Sequence, residues 1–175
     1  MVFSKLLEAE VGQTDPEERK KELEELEFQV YRMRENMKEI SQKYDVIGID
    51  QTKYSNWVIV FKEDDGNICR VMLDDCQSPF RGSWDFCIQA EYTDHNNIHI
   101  ADIKGPEDQG YGSVLMKYLK DIAIKQNIRA IKGDIVKRDW DHVDRLEHFY
   151  SKHNFRVQLD FENKSGSIEW NQMDR

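Results

Sequence analysis

Ile98-His99-Ile100-Ala101-Asp102-Ile103-Lys104, then Gly105-Pro106, then Asp108-Gln109-Gly110-Tyr111-Gly112-Ser113 is the stretch on which the fold turns. The first seven residues are rich in β-branched side chains and read as a strand, which Gly-Pro terminates. Beyond the glycine pair, Val114, Leu115, Tyr118, Leu119 and Ile122 recur at helical spacing. A strand therefore feeds a helix through a glycine turn. Glycines let the backbone turn tightly and approach a ligand, and a helix start offers unpaired N–H groups and the positive end of its dipole. That chemistry favours a phosphate or pyrophosphate, although a glycine pair is also ordinary turn chemistry. The turn lacks the Gly-Lys-Ser/Thr ending of a Walker loop, and Leu115 occupies the third glycine position of a dinucleotide fingerprint.

Downstream, the pattern gives a strand Ala130–Val136, a helix from about Asp141 to His153 with Val143, Leu146, Phe149 and Tyr150, and closing strands Phe155–Phe161 and Ser167–Trp170. Upstream, Asp45–Asp50, Trp57–Lys62, Ile68–Leu73 and Trp84–Tyr92 are short runs separated by turn clusters such as Asp64-Asp65-Gly66-Asn67, an antiparallel meander. Asp15-Pro16-Glu17-Glu18 carries an N-cap acid, a first-turn proline and acids beside the dipole, so a helix starts there. Leu23, Leu26, Val30, Met33, Met37 and Ile40 extend it to about Lys43 as one amphipathic stripe. The stripe fits packing on the chain's own sheet or a seam between two chains. Residues 1–13 give no firm element. The expected architecture is α+β: a mixed, mostly antiparallel sheet with helices on both faces. Residues 1–44 form an N-terminal segment of the same domain as residues 45–175.

A chain of 175 residues with 39% hydrophobic and 34% charged side chains can build one core and no second domain of ordinary size. No window approaches the roughly 18 apolar residues of a membrane span, and the start lacks a signal-peptide pattern, so a cytoplasmic protein without membrane contact is expected. With 25 Lys and Arg against 34 Asp and Glu, the net charge of −9 disfavours nucleic acid and suits a cationic partner. Cys69, Cys76 and Cys87 are odd in number and unpaired in spacing, so they read as reduced thiols. His95, His142, His148 and His153 lack a recognised zinc spacing, and no metal is expected.

Gly110-Tyr111-Gly112-Ser113 with Val114-Leu115-Met116, and Tyr150-Ser151-Lys152-His153-Asn154-Phe155 about 40 residues on, resemble two motifs of the GNAT superfamily of acetyl-CoA-dependent N-acetyltransferases. The family carries an Arg/Gln-x-x-Gly-x-Gly/Ala turn after a strand, and later a Tyr-x-Lys-x-Gly-Phe pattern. The resemblance covers roughly Ile98 to Val157. It implies that acetyl-CoA is the cosubstrate, with its pyrophosphate on Asp108, Gln109, Gly110, Tyr111, Gly112 and Ser113. Backbone groups around Asp102, Ile103 and Lys104 would meet the pantetheine arm and the acetyl carbonyl. Tyr150 would be the general acid on the departing thiolate, since a phenol keeps its proton at neutral pH.

Three positions depart from the family pattern. Glu107 stands where Arg or Gln is usual and repels a pyrophosphate, Asn154 replaces a glycine, and Val143 replaces an asparagine. Glu91, His99 and Asp102 are candidates for the base, and strict alternation groups Asp102 with Ile98 and Ile100, and His99 with Ala101 and Ile103. The acceptor implied is a primary amine on a small molecule or a protein, such as a polyamine, an aminoglycoside or a lysine. The alternative is a catalytically silent module of the same fold that binds a partner or forms a homodimer through its N-terminal helix.

Overall fold

The computed structural model describes residues 15–173, so residues 1–13 and the sequence reading on them lie outside it. Helix α1 (Pro16–Ser41) starts where expected: the Asp15 carboxylate accepts from the Glu17 N–H at 3.3 Å, and Glu17 and Glu18 sit in the first turn. The strands β1 (Asp45–Gln51), β2 (Trp57–Asp64), β3 (Ile68–Asp74), β4 (Phe86–Tyr92) and β5 (Asn97–Lys104) follow as a meander. Helix α2 (Tyr111–Lys125), strand β6 (Ala130–Ile135), a 3₁₀ turn (Lys137–His142), helix α3 (Val143–Lys152), and strands β7 (Arg156–Asp160) and β8 (Ser165–Asn171) complete the chain.

One eight-stranded sheet results, in the order β1-β2-β3-β4-β5-β6-β8-β7. Every neighbouring pair is antiparallel except β5 and β6, which α2 joins as a crossover. The fold is thus the expected α+β arrangement with helices on both faces. On one face Val58, Val60, Val71, Leu73, Ile88, Ile98, Ile100, Ile131 and Ile168 pack under Val114, Leu115, Leu119 and Ile122 of α2 and Val143 and Tyr150 of α3. On the other, Ile59, Phe61, Met72 and Cys87 receive Ile40, Met33 and Met37 of α1.

The stripe of α1 splits along its length. Its C-terminal half packs on the sheet, whereas Leu23, Leu26 and Val30, with neighbouring Phe28 and Tyr31, are each more than half exposed. Periodicity reports which side of a helix is apolar, not how far another element reaches along it. At about 39 Å, α1 outruns the surface that covers it.

Between Ile100 and Asp102 the β4–β5 register slips: Ala90 faces Ile100, Gln89 faces Asp102, and Ala101 is the extra residue. This β-bulge overturns the expected alternation. Ile103 joins Ile98 and Ile100 in the core under α2, while Asp102, opposite Gln89, moves to the face that α1 occupies. His99 and Asp102 therefore share a face, contrary to the sequence reading.

Asn36 of α1 is buried and fixes the β3–β4 loop. Its Nδ2 donates to Asp74 at 2.9 Å and to the Ser78 carbonyl at 2.8 Å, and its Oδ1 accepts from the Phe80 N–H at 3.0 Å. The loop in turn reaches α2, because Asp75 accepts from the Tyr111 hydroxyl at 3.1 Å. Replacing Asn36 by alanine strands a buried carboxylate and a backbone N–H, so Asn36→Ala is expected to cost about 2–4 kcal/mol in urea denaturation at pH 7. Lys20→Ala, on the exposed part of the same helix, is expected to stay within about 0.5 kcal/mol. Equal losses would contradict this role for Asn36.

Candidate active site

The parallel ladder of β5 and β6 ends at Ile100 opposite Gly133, yet β5 runs on to Lys104 and β6 to Ile135. Past that point the two strands part, and the β5 edge from Ala101 to Lys104 faces a gap instead of a strand. Because the pair is parallel, both carboxyl ends lie at the same edge. The turn into α2 and the 3₁₀ turn into α3 leave from the same place, a site favoured for ligands in sheets of this kind.

The glycine turn is built for close approach. Gly110 is the N-cap of α2 at φ +80, and a Cβ there would stand 3.4 Å from the Lys53 side chain and 3.5 Å from that of Thr52. No side chain caps the helix, so the first N–H groups, of Tyr111, Gly112 and Ser113, face outward unpaired within the helix. A Cβ on Gly112 would meet the Phe149 ring at 3.2 Å, so α3 rests directly on the start of α2. Asp108 and Gln109 lie exposed on the turn. The side chain of Tyr111 is buried toward Asp75, which leaves its backbone N–H for a ligand.

Glu107 does not present a bare carboxylate to this turn. Arg145 of α3 grips it through both terminal guanidinium nitrogens, Nη2 at 2.6 Å, and neutralises the charge that the sequence reading set against a pyrophosphate. Lys53, whose stem lies beside Gly110, makes no ion pair among the described residues and adds positive charge at the turn. Sequence offered no signal for either cation, since Arg145 and Glu107 are 38 residues apart. Val143, in place of the usual asparagine, is a core residue.

Tyr150 lies buried in the last turns of α3, with Phe149 and Phe155 rings at centroid distances of 5.3 and 5.4 Å. Burial, seconded by the negative charge of Asp139, pushes its phenol up to about 12, so it stays protonated at neutral pH. The helix ends just beyond it. Asn154 adopts the left-handed conformation at φ +61, the Phe155 N–H donates to the Tyr150 carbonyl at 3.0 Å, and the Asn154 N–H donates to Ser151 at 3.0 Å. This is a Schellman ending, in which asparagine takes the left-handed position that glycine most often fills. Lys120 of α2 donates to the His153 carbonyl, and His153 Nε2 lies 3.1 Å from Ser113 Oγ, so the end of α3 is tied to the start of α2. The two sequence motifs are thereby brought together.

Of the base candidates, His99 sits 3.0 Å from Asp134 of β6, Glu91 pairs with His99 across the ladder, and Asp102 holds Lys104 at 2.8 Å. A hollow of about 480 Å³ lies elsewhere, between α1 and Cys76-Gln77.

Burial, with help from Lys152 and Lys120, pushes His153 down to about 4 from its ordinary 6.5. Between those values the unfolded chain binds a proton that the folded chain refuses, so stability falls as pH drops from 6.5 to 4. Asp74 and Asp85, raised by burial, act in the opposite sense. His153→Gln is therefore expected to flatten the fall of Tm across that window relative to the parent chain. Parallel Tm curves would show that His153 is not the group refusing the proton.

No family model matches the sequence. A GNAT family acetyltransferase from Elizabethkingia anophelis, solved with acetyl-CoA bound, is similar at 11% identity and a TM-score of 0.49, over 65% of this chain and 97% of that one. The N-acetyltransferase PseH of Campylobacter jejuni is similar at 13% identity and a TM-score of 0.46, over 62% and 70% of the two chains. Sequence likeness is much stronger to the uncharacterized protein YocC of Bacillus subtilis, 53% identical over 160 residues that cover 91% of this chain and 96% of that one. This chain belongs to the same family as YocC.

Proposed function

We propose that this chain is a GNAT-type N-acetyltransferase that moves the acetyl group of acetyl-CoA directly onto a primary amine. The observation that carries the reading is the parting of β5 and β6 at their carboxyl ends, against the uncapped start of α2. The residues present fit acetyl-CoA. Its pyrophosphate is met by the N–H groups of Tyr111, Gly112 and Ser113, with Asp108, Gln109 and Gly110 shaping the turn and Lys53 adjoining it. The pantetheine arm and acetyl carbonyl lie along the backbone of Asp102, Ile103 and Lys104. The neutral amine attacks the carbonyl carbon, an N–C bond forms, and the C–S bond breaks. Tyr150 gives its proton to the sulfur, and the proton lost from nitrogen restores the phenol through solvent or a base. Starting from an ammonium, one proton is released per turnover. Three buried free thiols suit a reducing cytoplasm.

Tyr150→Phe is expected to lower kcat by about 100-fold or more with KM for acetyl-CoA nearly unchanged, measured as thiol release. A full rate in that variant would remove Tyr150 as general acid.

A second reading has its own observation, the exposed Leu23, Leu26, Phe28, Val30 and Tyr31 of α1: they form a seam with a second copy or a partner helix. Light scattering is then expected to give a dimer mass that falls to the monomer in Leu23→Lys with Leu26→Lys. A monomer in the parent chain rules out the homodimer seam.

A further inference from the structure

The bulge at Ala101 puts Asp102 on the face of the sheet opposite α2 and α3, at the lip of the gap. Next to it is a recess of about 60 Å³ lined by Arg70, Trp84, Cys87, Gln89, Asp102 and Lys104. The register lays Arg70 opposite Gln89 and Gln89 opposite Asp102, a row of cation, amide and carboxylate across β3, β4 and β5. Arg70 donates through Nη1 to Glu63 at 2.8 Å and through Nε to Gln89 at 3.3 Å, which leaves Nη2 for a further acceptor. Lys104, now 2.8 Å from Asp102, has a side chain about two-thirds exposed and can yield its place to another ammonium.

We infer that this recess selects the acceptor, and that the acceptor is a small amine that also carries a carboxylate. The inference rests on the transferase reading above. Asp102 takes the amine beside the gap while Arg70, with Lys104, takes the carboxylate, and Trp84 walls the chain between them. Arg70 and Asp102 stand two strand spacings apart, roughly 10 Å. The two groups of the acceptor are therefore several bonds apart, as in the side-chain amine of free lysine or ornithine. A polyamine or aminoglycoside would set its second ammonium against two cations, so the recess works against the very substrates that the net charge suggests.

The test uses two readouts on the whole chain. L-lysine and L-ornithine, and their decarboxylated counterparts cadaverine and putrescine, are titrated while the Trp84 indole N–H is followed by NMR, with Trp84→Phe identifying the signal. The same four amines are then compared in an acetyl-CoA thiol-release assay. The expected result is a saturable shift with the amino acids alone, and kcat/KM at least about tenfold above that of the diamines. Arg70→Gln should raise KM for the amino acids by about tenfold or more while kcat stays within about threefold, with Arg70→Lys recovering part of the loss. A Trp84 shift with the amino acids but no thiol release from any amine would uphold the recess and defeat the transferase reading. Diamines equal to the amino acids in both readouts would overturn the recess proposal, as would no Trp84 shift with any of the four. Thiol release with the diamines in either case would leave the transferase reading standing.

Discussion

The pairing of β5 with β6 stops at Ile100 and Gly133 while both strands continue, and the geometry around the site follows from that parting. Up to that point the two strands share a ladder and a core face, with Ile98, Ile100 and Ile131 under α2. Gly133 is itself tightly enclosed, since a Cβ there would stand 3.0 Å from Ile168. Beyond it, the inserted residue Ala101 bends β5 and exchanges the faces of Asp102 and Ile103. One extra residue thus turns a carboxylate to the opposite side of the sheet, just past the point where β5 loses its pairing with β6.

The rest of the molecule holds that opening in place from two directions. From one side, α1 uses Asn36 to fix the β3–β4 loop, and the loop holds Tyr111, the first residue of α2. From the other, α3 lies on the glycine turn through Phe149, Arg145 and His153, with Lys120 bonded to the His153 carbonyl at its end. The phenol of Tyr150 sits within this clamp, kept protonated by burial. In the proposed reaction, binding and proton transfer fall to different helices, which touch along Gly112 and Ser113.

Local pattern made much of this legible in the sequence. Caps, periods and turn clusters gave α1, the meander and the strand-turn-helix unit, because each depends on residues a few positions apart, whereas Tyr150 and its asparagine ending stood out only through the motif resemblance. Three features escaped. The alternation of Asp102 and Ile103 was misread because a period of two carries no record of an inserted residue. The charge on Glu107 was misjudged because its partner, Arg145, belongs to another helix. The stripe from Leu23 to Ile40 showed an apolar side but not where its cover ends, and half of it is bare. All three are settled by tertiary contacts.

The central claim is that the opening between β5 and β6, with the uncapped start of α2, holds acetyl-CoA. A calorimetric titration of acetyl-CoA into the purified chain, with CoA and ATP as controls, tests it most directly. The account predicts saturable binding of acetyl-CoA, with CoA competing and ATP much weaker, and loss of that binding in Gly110→Trp while the melting transition is kept. No heat of binding at millimolar acetyl-CoA, or equal binding by Gly110→Trp, would contradict it.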